Sequence, residues 1–296
     1  MSFIELLPLL LFAAMSLVMC GLGLSLSVAD FARLRHHPRA VVLALLLQTL
    51  VLPAACFGLI VALDVPPTYA IGLMLLAASP GGISANLFSH AFGGNVALNI
   101  SLTAINTLLS IVTWPLITNW AIGHFAGATG VAPLQLGKVL NVLAVVFVPV
   151  ALGMWIKVRA PAFGRRMERP MKLFNIAVIA ALAVAAVVKE WATVSSSFAS
   201  LGPAVVAFNI ISLAVGYALP RLAGLDKPLA TAISFEIGIH SSAVAMFMAM
   251  SVLNNFQLAL PAAVYSVTMY PLAGLFGWFF LQRGRAAVPQ WRPHHL

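Results

Sequence analysis

The chain is 296 residues long, 62% hydrophobic and only 8% charged. A soluble protein carries about 25% charged residues, so this composition excludes an ordinary water-exposed domain and implies a surface solvated mostly by lipid. The net charge of +9 invites a nucleic-acid reading, which the placement of the basic residues removes.

Runs of roughly 17 to 25 apolar residues, each able to cross about 30 Å of hydrocarbon as a helix, recur along the whole chain. Nine spans are read, over residues 4–28, 40–63, 69–91, 96–120, 136–156, 173–188, 201–219, 229–253 and 256–281. The first has no basic n-region, exceeds the length of an h-region and lacks a small-residue cleavage site, so it is expected to be retained. Cys20 and Cys56, in the first and second spans, are expected to be small core residues, because no CxxC or Cys/His spacing accompanies them. Gln48 places an amide in the second span, as packing or as a ligand.

The third span is interrupted by SPGGISAN, residues 79–86. Glycine is costly in a helix interior, and proline removes a hydrogen bond while clashing with the preceding turn. In the fourth span Asn99, Thr103, Asn106, Ser110 and Thr113 recur at steps of four, three, four and three, which puts all five on one helical face. A stripe of this kind serves as interhelical glue or as a ligand face. Asn99 and Thr103 lie nearest the break and are the better ligand candidates. Between the fifth and sixth spans, KVRAPAFGRRMERPMK reads as the longest cytoplasmic loop and the boundary between two halves. The eighth span is broken around Gly238 in FEIGIHSS.

With the N-terminus outside, every Lys and Arg except Lys138 and Lys189 falls on the cytoplasmic side, the positive-inside pattern. The basic surplus is therefore topological. It implies a multi-pass protein of the cell (inner) membrane with a cytoplasmic C-terminus, surrounded by lipid, and implies neither nucleic acid nor an obligatory protein partner.

Two broken spans five apart cross the membrane in opposite directions, and each is the middle member of a three-span block. That is the pattern of an inverted-topology repeat, with a substrate and ion site where the interrupted helices meet. Lipid cannot satisfy unpaired backbone, so both breaks are expected to face protein or a water-filled cavity.

Glu236 is the one acidic residue well inside a span. A carboxylate at a helix centre costs roughly 2.5 to 3.5 kcal/mol on insertion scales, and no intramembrane Lys or Arg stands ready to pair it. A bound cation is one solution, and a protonated carboxyl hydrogen-bonded across helices is the other. Neutral Asn and Thr oxygens with carbonyls freed by unwound backbone suit a hard alkali cation. His240 is the one histidine well inside a span, and a lone His with no Cys or second His beside it implies no transition metal. The absence of HExxH, GxSxG and paired acids points away from an enzyme and from an organic cofactor.

PGGISANLFSHAFGGNVALNISLTAINTLLS, with Gln48 upstream and SFEIGIHSS downstream, resembles the bile acid:sodium symporter family over nearly the whole chain, in its nine-span bacterial form. The resemblance implies an all-α integral membrane protein. Its core would be inverted three-helix repeats with two broken, crossing helices, and a panel domain would flank it. The divisions are then residues 1–39 (panel helix and loop), 40–120 (first repeat), 121–200 (panel helices), 201–282 (second repeat) and 283–296 (cytoplasmic tail). It further implies sodium-coupled symport of a small organic carboxylate by alternating access.

Matched by motif, one sodium site draws on Ala85, Asn86, Asn99, Thr103 and Glu236. A second draws on Gln48, Glu236, His240 and the backbone carbonyls of Ile237 and Ile239, while Ile83, Ser84 and Ser241 fall at the substrate position. The chain departs from the family pattern at Ala85 and Asn99, each usually Ser, at His240, usually Gln, and at Ser241, usually Asn. A carrier coupled to protons or to no ion, and a passive channel or non-transporting receptor on the same scaffold, remain as alternatives.

Overall fold

The structure, a computed structural model, describes residues 3–82, 84–125, 127, 136–189 and 191–281. In chain order its helices are α1 (Phe3–Ser25), α2 (Val28–Arg33), α3 (Pro38–Ala62), α4 (Pro67–Ala77), α5 (Ser84–Ala91), α6 (Val96–Phe125) and α7 (Leu136–Arg159). They continue with α8 (Pro161–Lys189), α9 (Trp191–Leu222), α10 (Lys227–Gly238), α11 (Ser242–Val252) and α12 (Gln257–Leu281). Among the described residues the one β feature is an isolated antiparallel bridge between Gly81 and His240. The α3 helix, residues Leu201–Leu222 of α9, and α12 are continuous and apolar enough to cross a membrane, and up to 5 such spans result if each bent pair counts as one. The described residues are all-helical apart from that bridge and the connecting turns, and the chain is an integral membrane protein.

Local chemistry explains most helix ends and bends. The first apolar run does not stay straight to residue 28: α1 stops at Ser25, and the chain bends by 58° into the segment Ala29–His36. At the corner the Asp30 carboxylate accepts from both the backbone N–H and the hydroxyl of Ser27, each at 2.7 Å. The α6 helix bends by 56° between Ser110 and Val112. Pro115 lies inside that helix, and its ring displaces the carbonyl four residues earlier, at the bend.

Residues 157–172, read as the longest cytoplasmic loop, are largely helical. The α7 helix runs to Arg159 and α8 begins at Pro161, leaving Ala160 alone as the connection. Proline at the first helical position has no N–H to lose and a preset φ, so it starts α8 directly after Ala160.

The α1 helix packs against α7 and α8 as a layer. Backbones touch there: a Cβ on Gly153 would meet the Cys20 carbonyl oxygen and lie 2.8 Å from the Leu24 nitrogen, and one on Gly23 would meet the Val150 carbonyl. Small residues give this close approach in lipid, where no hydrophobic drive separates one apolar helix from another. Lys157 Nζ donates to the Ser25 carbonyl at 2.8 Å, a cation at the negative end of α1.

The other helices gather around the two interruptions. The α4 helix ends at Ala77 and the chain resumes as α5 at Ser84; α10 ends at Gly238 and resumes as α11 at Ser242. The second break thus lies at residues 239–241, just past Gly238. Gly238 is itself helical, and its missing Cβ matters for packing, since a Cβ there would strike the Leu213 side chain.

The two unwound segments pair with each other. Gly82 N–H donates to the Ile239 carbonyl at 2.7 Å, and Ser241 N–H donates to the Pro80 carbonyl at 2.9 Å. The freed Gly238 carbonyl accepts from Tyr265 Oη at 2.8 Å and Asn209 Nδ2 at 3.1 Å. Irregular backbone at membrane depth is thereby satisfied by protein.

Gly153→Val is expected to destabilise the protein by about 1–3 kcal/mol, because the collision is with main chain that has no rotamer to yield. A lowered apparent melting temperature of the purified protein in detergent reads this out. Gly58→Ala, in a position with nothing within 4 Å, serves as the control and should be neutral or stabilising by up to about 1 kcal/mol.

Candidate functional site

Glu236 lies in the last turn of α10, fully buried. Thr103 on α6 donates its hydroxyl to Glu236 Oε2 at 2.6 Å, and Asn106, one turn further along α6, donates Nδ2 to Oε1 at 3.1 Å. The Thr103 hydroxyl also stands 3.1 Å from the Asn99 carbonyl, and with one hydrogen to give it serves the shorter contact. On the opposite side the first break closes over the carboxylate. A Cβ on Gly81 would overlap Glu236 Oε1 and lie 2.6 Å from its Cδ, so only glycine lets residues 80–82 pass at this distance. Among the described residues no Lys or Arg pairs with Glu236.

The surrounding amides are turned in one sense. Asn99 Nδ2 donates to the Ala232 carbonyl at 2.6 Å, and a carbonyl can only accept, which fixes the amide orientation. Its Oδ1 is buried without a hydrogen bond, as are Asn106 Oδ1 and Asn86 Oδ1. An unsatisfied buried acceptor costs about 1–3 kcal/mol. Three such oxygens lie on α5 and α6, the second of which also grips the Glu236 carboxylate, and among the described residues no Lys or Arg pairs with it. That donor set, all oxygen and one negative charge, is the chemistry of a hard cation site. Ala85, the remaining residue expected here, is buried and offers no side-chain oxygen.

The residues expected to form a second ion position fall on the α3 side of the crossover. Gln48 sits in a π-helical turn, Leu47–Val51, and its Nε2 donates to the Ser79 carbonyl at 3.0 Å. His240 Nδ1 lies 3.3 Å from the same carbonyl oxygen, so Nδ1 carries the hydrogen, and Nε2 is buried with no partner. The imidazole is stacked on Phe208 (5.5 Å between centroids, 19°) and meets Tyr265 edge-on at 5.6 Å. Ile237 and Ile239 are fully buried, and the Ile239 carbonyl is the one that accepts from Gly82.

Of the residues expected at the substrate, Ile83 lies outside the described residues. Ser84 opens α5, with its hydroxyl 3.2 Å from Tyr270 Oη. Ser241 precedes α11 and ties its N–H to Pro80. Two half-helix N-termini, those of α5 and α11, therefore start beside the crossover, and helix N-termini favour negative charge.

Sequence reasoning passed over three residues. Asn106 was visible on the polar face of the fourth span, and the need of a carboxylate for two donors would have singled it out. Asn209 and Tyr265 hold the Gly238 carbonyl from α9 and α12. A lone Asn in the apolar stretch VVAFNIISL was the available signal for the first, and nothing local marked the second.

The model of the Sodium Bile acid symporter family matches residues 12–197. Relatives include a probable sodium/metabolite cotransporter, BASS1, of chloroplasts in Oryza sativa subsp. japonica, 28% identical over 266 residues that cover 90% of this chain and 64% of the relative. The uncharacterized sodium-dependent transporter YocS of Bacillus subtilis is 28% identical over 254 residues, 86% of this chain and 77% of YocS. The human P3 protein is 27% identical over 241 residues, 80% of this chain and 50% of P3. The chain thus spans somewhat under two thirds of the rice protein, and the relatives named by activity are named as transporters. The chain belongs to the sodium bile acid symporter family.

Proposed function

We propose that the protein is a secondary active transporter that carries a small organic anion, a carboxylate, together with sodium by alternating access. The observation that carries this reading is Glu236, a fully buried carboxylate gripped by Thr103 and Asn106, on a crossover whose helices α5 and α6 also hold the unpaired amide oxygens of Asn86, Asn99 and Asn106. Sodium at that point neutralises the carboxylate and supplies the partner those oxygens lack. The N-termini of α5 and α11, with Ser84, Ser241 and Ile83 nearby, then form the anion-binding face.

The same reading takes the chain as nine spans in the inner membrane, N-terminus outside, with residues 40–120 and 201–282 as inverted repeats. The layer of α1, α7 and α8 fits the role of a panel against which the core moves. The relatives' printed names, sodium/metabolite cotransporter and sodium-dependent transporter, favour the sodium-coupled form over a proton-coupled or uncoupled carrier.

Sodium alone is expected to raise the melting temperature of the purified protein relative to choline at equal ionic strength, by linkage to the folded state. Glu236→Gln should abolish that difference. An equal response to choline in the wild type would sink the sodium reading. A metabolite screen for further stabilisation in sodium, followed by uptake into proteoliposomes, identifies the anion. Flux far above carrier rates would instead indicate a channel.

Asn106→Leu keeps the side-chain volume and removes both the donor to Glu236 and the unpaired oxygen. It should weaken sodium stabilisation about 10- to 100-fold in half-saturating concentration, the equivalent of one charged hydrogen bond of about 1.5–3 kcal/mol. Ser110→Ala, where the hydroxyl bonds its own helix at the Thr107 carbonyl, should leave the sodium response unchanged.

A further inference from the structure

We propose that the corner between α7 and α8 is a binding site for an anionic phospholipid, its phosphate anchored on Arg159 and its acyl chains laid along the outward face of α7. The inference is independent of the ion at Glu236.

Val148, Leu152, Trp155 and Arg159 follow one another on α7 at steps of four, three and four, so they share one helical stripe. Val148, Leu152 and Trp155 are 64%, 49% and 56% exposed, and Arg159 is exposed as well. Among the described residues no other helix covers this stripe, and in an integral membrane protein the bilayer does. The stripe passes from aliphatic side chains to an indole and then to a guanidinium, the order of hydrocarbon, interface and headgroup. Arg159 Cζ stands over the Trp155 ring, 5.8 Å from its centroid, a cation–π contact that holds the charge at the edge of the apolar run.

The chain then turns back. Ala160 alone separates the two helices, and a Cβ on Gly164 would lie 3.5 Å from Lys157 Cα, so the first turn of α8 packs against the last turn of α7. Residues 157–172 carry Lys157, Arg159, Arg165, Arg166, Arg169 and Lys172 against Glu168 alone. The charges at the corner are not equally available. Lys157 is committed to the Ser25 carbonyl at 2.8 Å. Arg159 and Arg166 are exposed, and among the described residues neither has a carboxylate or hydrogen-bond partner.

A guanidinium with free N–H groups matches a phosphate as a planar fork, and basic clusters at the end of a membrane span select anionic lipid. A choline or ethanolamine headgroup would bring its own cation into a corner that already holds a surplus. Phosphatidylglycerol leaves its phosphate unneutralised and fits. A lipid seated there fastens the layer of α1, α7 and α8 to the leaflet, since Lys157 ties the same corner to the end of α1.

Thermal melting of the purified, delipidated full chain in neutral detergent tests the proposal, with phosphatidylglycerol or phosphatidylcholine of identical acyl chains added back. Phosphatidylglycerol should raise the melting temperature at a half-saturating concentration about 5-fold or more below that of phosphatidylcholine. Arg159→Gln should remove this preference, while Arg39→Gln, at an exposed arginine in the first turn of α3, should keep it. Equal action of the two lipids on the wild type would overturn the proposal. A preference that survives in Arg159→Gln, or is lost equally in Arg39→Gln, would overturn the assignment to this corner. Inorganic phosphate that matches phosphatidylglycerol at the same ionic strength would replace the lipid with a free anion.

Discussion

The structure depends on one constraint: two helices are interrupted at membrane depth, and lipid offers nothing to the backbone groups released there. The chain meets it by setting the interruptions against each other. Residues 80–82 and 239–241 form a two-bond antiparallel bridge, so each break is the other's hydrogen-bonding solvent. Pro80 takes part only as an acceptor, having no N–H to satisfy. The remaining carbonyls, Ser79 and Gly238, are reached by side chains from α3, α9 and α12. Five separate segments thereby converge on a few residues of irregular chain.

Glu236 is placed by the same convergence. It belongs to the last turn before the second break, it is gripped by Thr103 and Asn106 of α6, and the first break passes so close that Gly81 admits no side chain. A change in the charge or ligation of this carboxylate is felt at once by α10, by α6 and by the α4–α5 connection. No long relay is required. Glu236 is in direct contact with the structural crossing, so anything that binds there acts directly on the element that holds the core together.

Much of this was legible before any coordinates. The low charge content gave a membrane protein, SPGGISAN gave the first break, and the isolation of Glu236 among apolar residues marked it as the group the crossing has to accommodate. The polar face of the fourth span carries both of its hydrogen-bond donors, although only Thr103 was singled out there, and that face was visible because helical periodicity is a local property. What was not legible was non-local. The pairing of Gly81 with His240 joins residues far apart in sequence, and the roles of Asn209, Tyr265 and Gln48 are side-chain bonds to backbone on other helices. Residues 157–172, read as the connection between the fifth and sixth spans, continue as helix past the apolar runs on both sides of Ala160. The break expected around Gly238 falls at residues 239–241, just past it, and Gly238 itself also serves packing against Leu213.

Asn86, Asn99 and Asn106 together leave three buried oxygens without donors, a deficit of several kcal/mol at about 1–3 kcal/mol each. A domain that is marginally stable overall does not carry such a deficit without some return. In the sodium-coupled reading the return comes from the ion. Its binding energy includes the satisfaction of these oxygens and the neutralisation of Glu236, and it is realised only where α5, α6 and α10 meet as they do here. Any conformation that separates them forfeits that energy, so sodium necessarily favours the crossed arrangement over one in which the helices part. The half-helix N-termini of α5 and α11 are positioned by the same crossing. An anion that uses them binds better once the ion is in place, and by reciprocity the ion binds better with the anion present. Coupling between the two ligands then requires no contact between them, only the shared crossing that both stabilise.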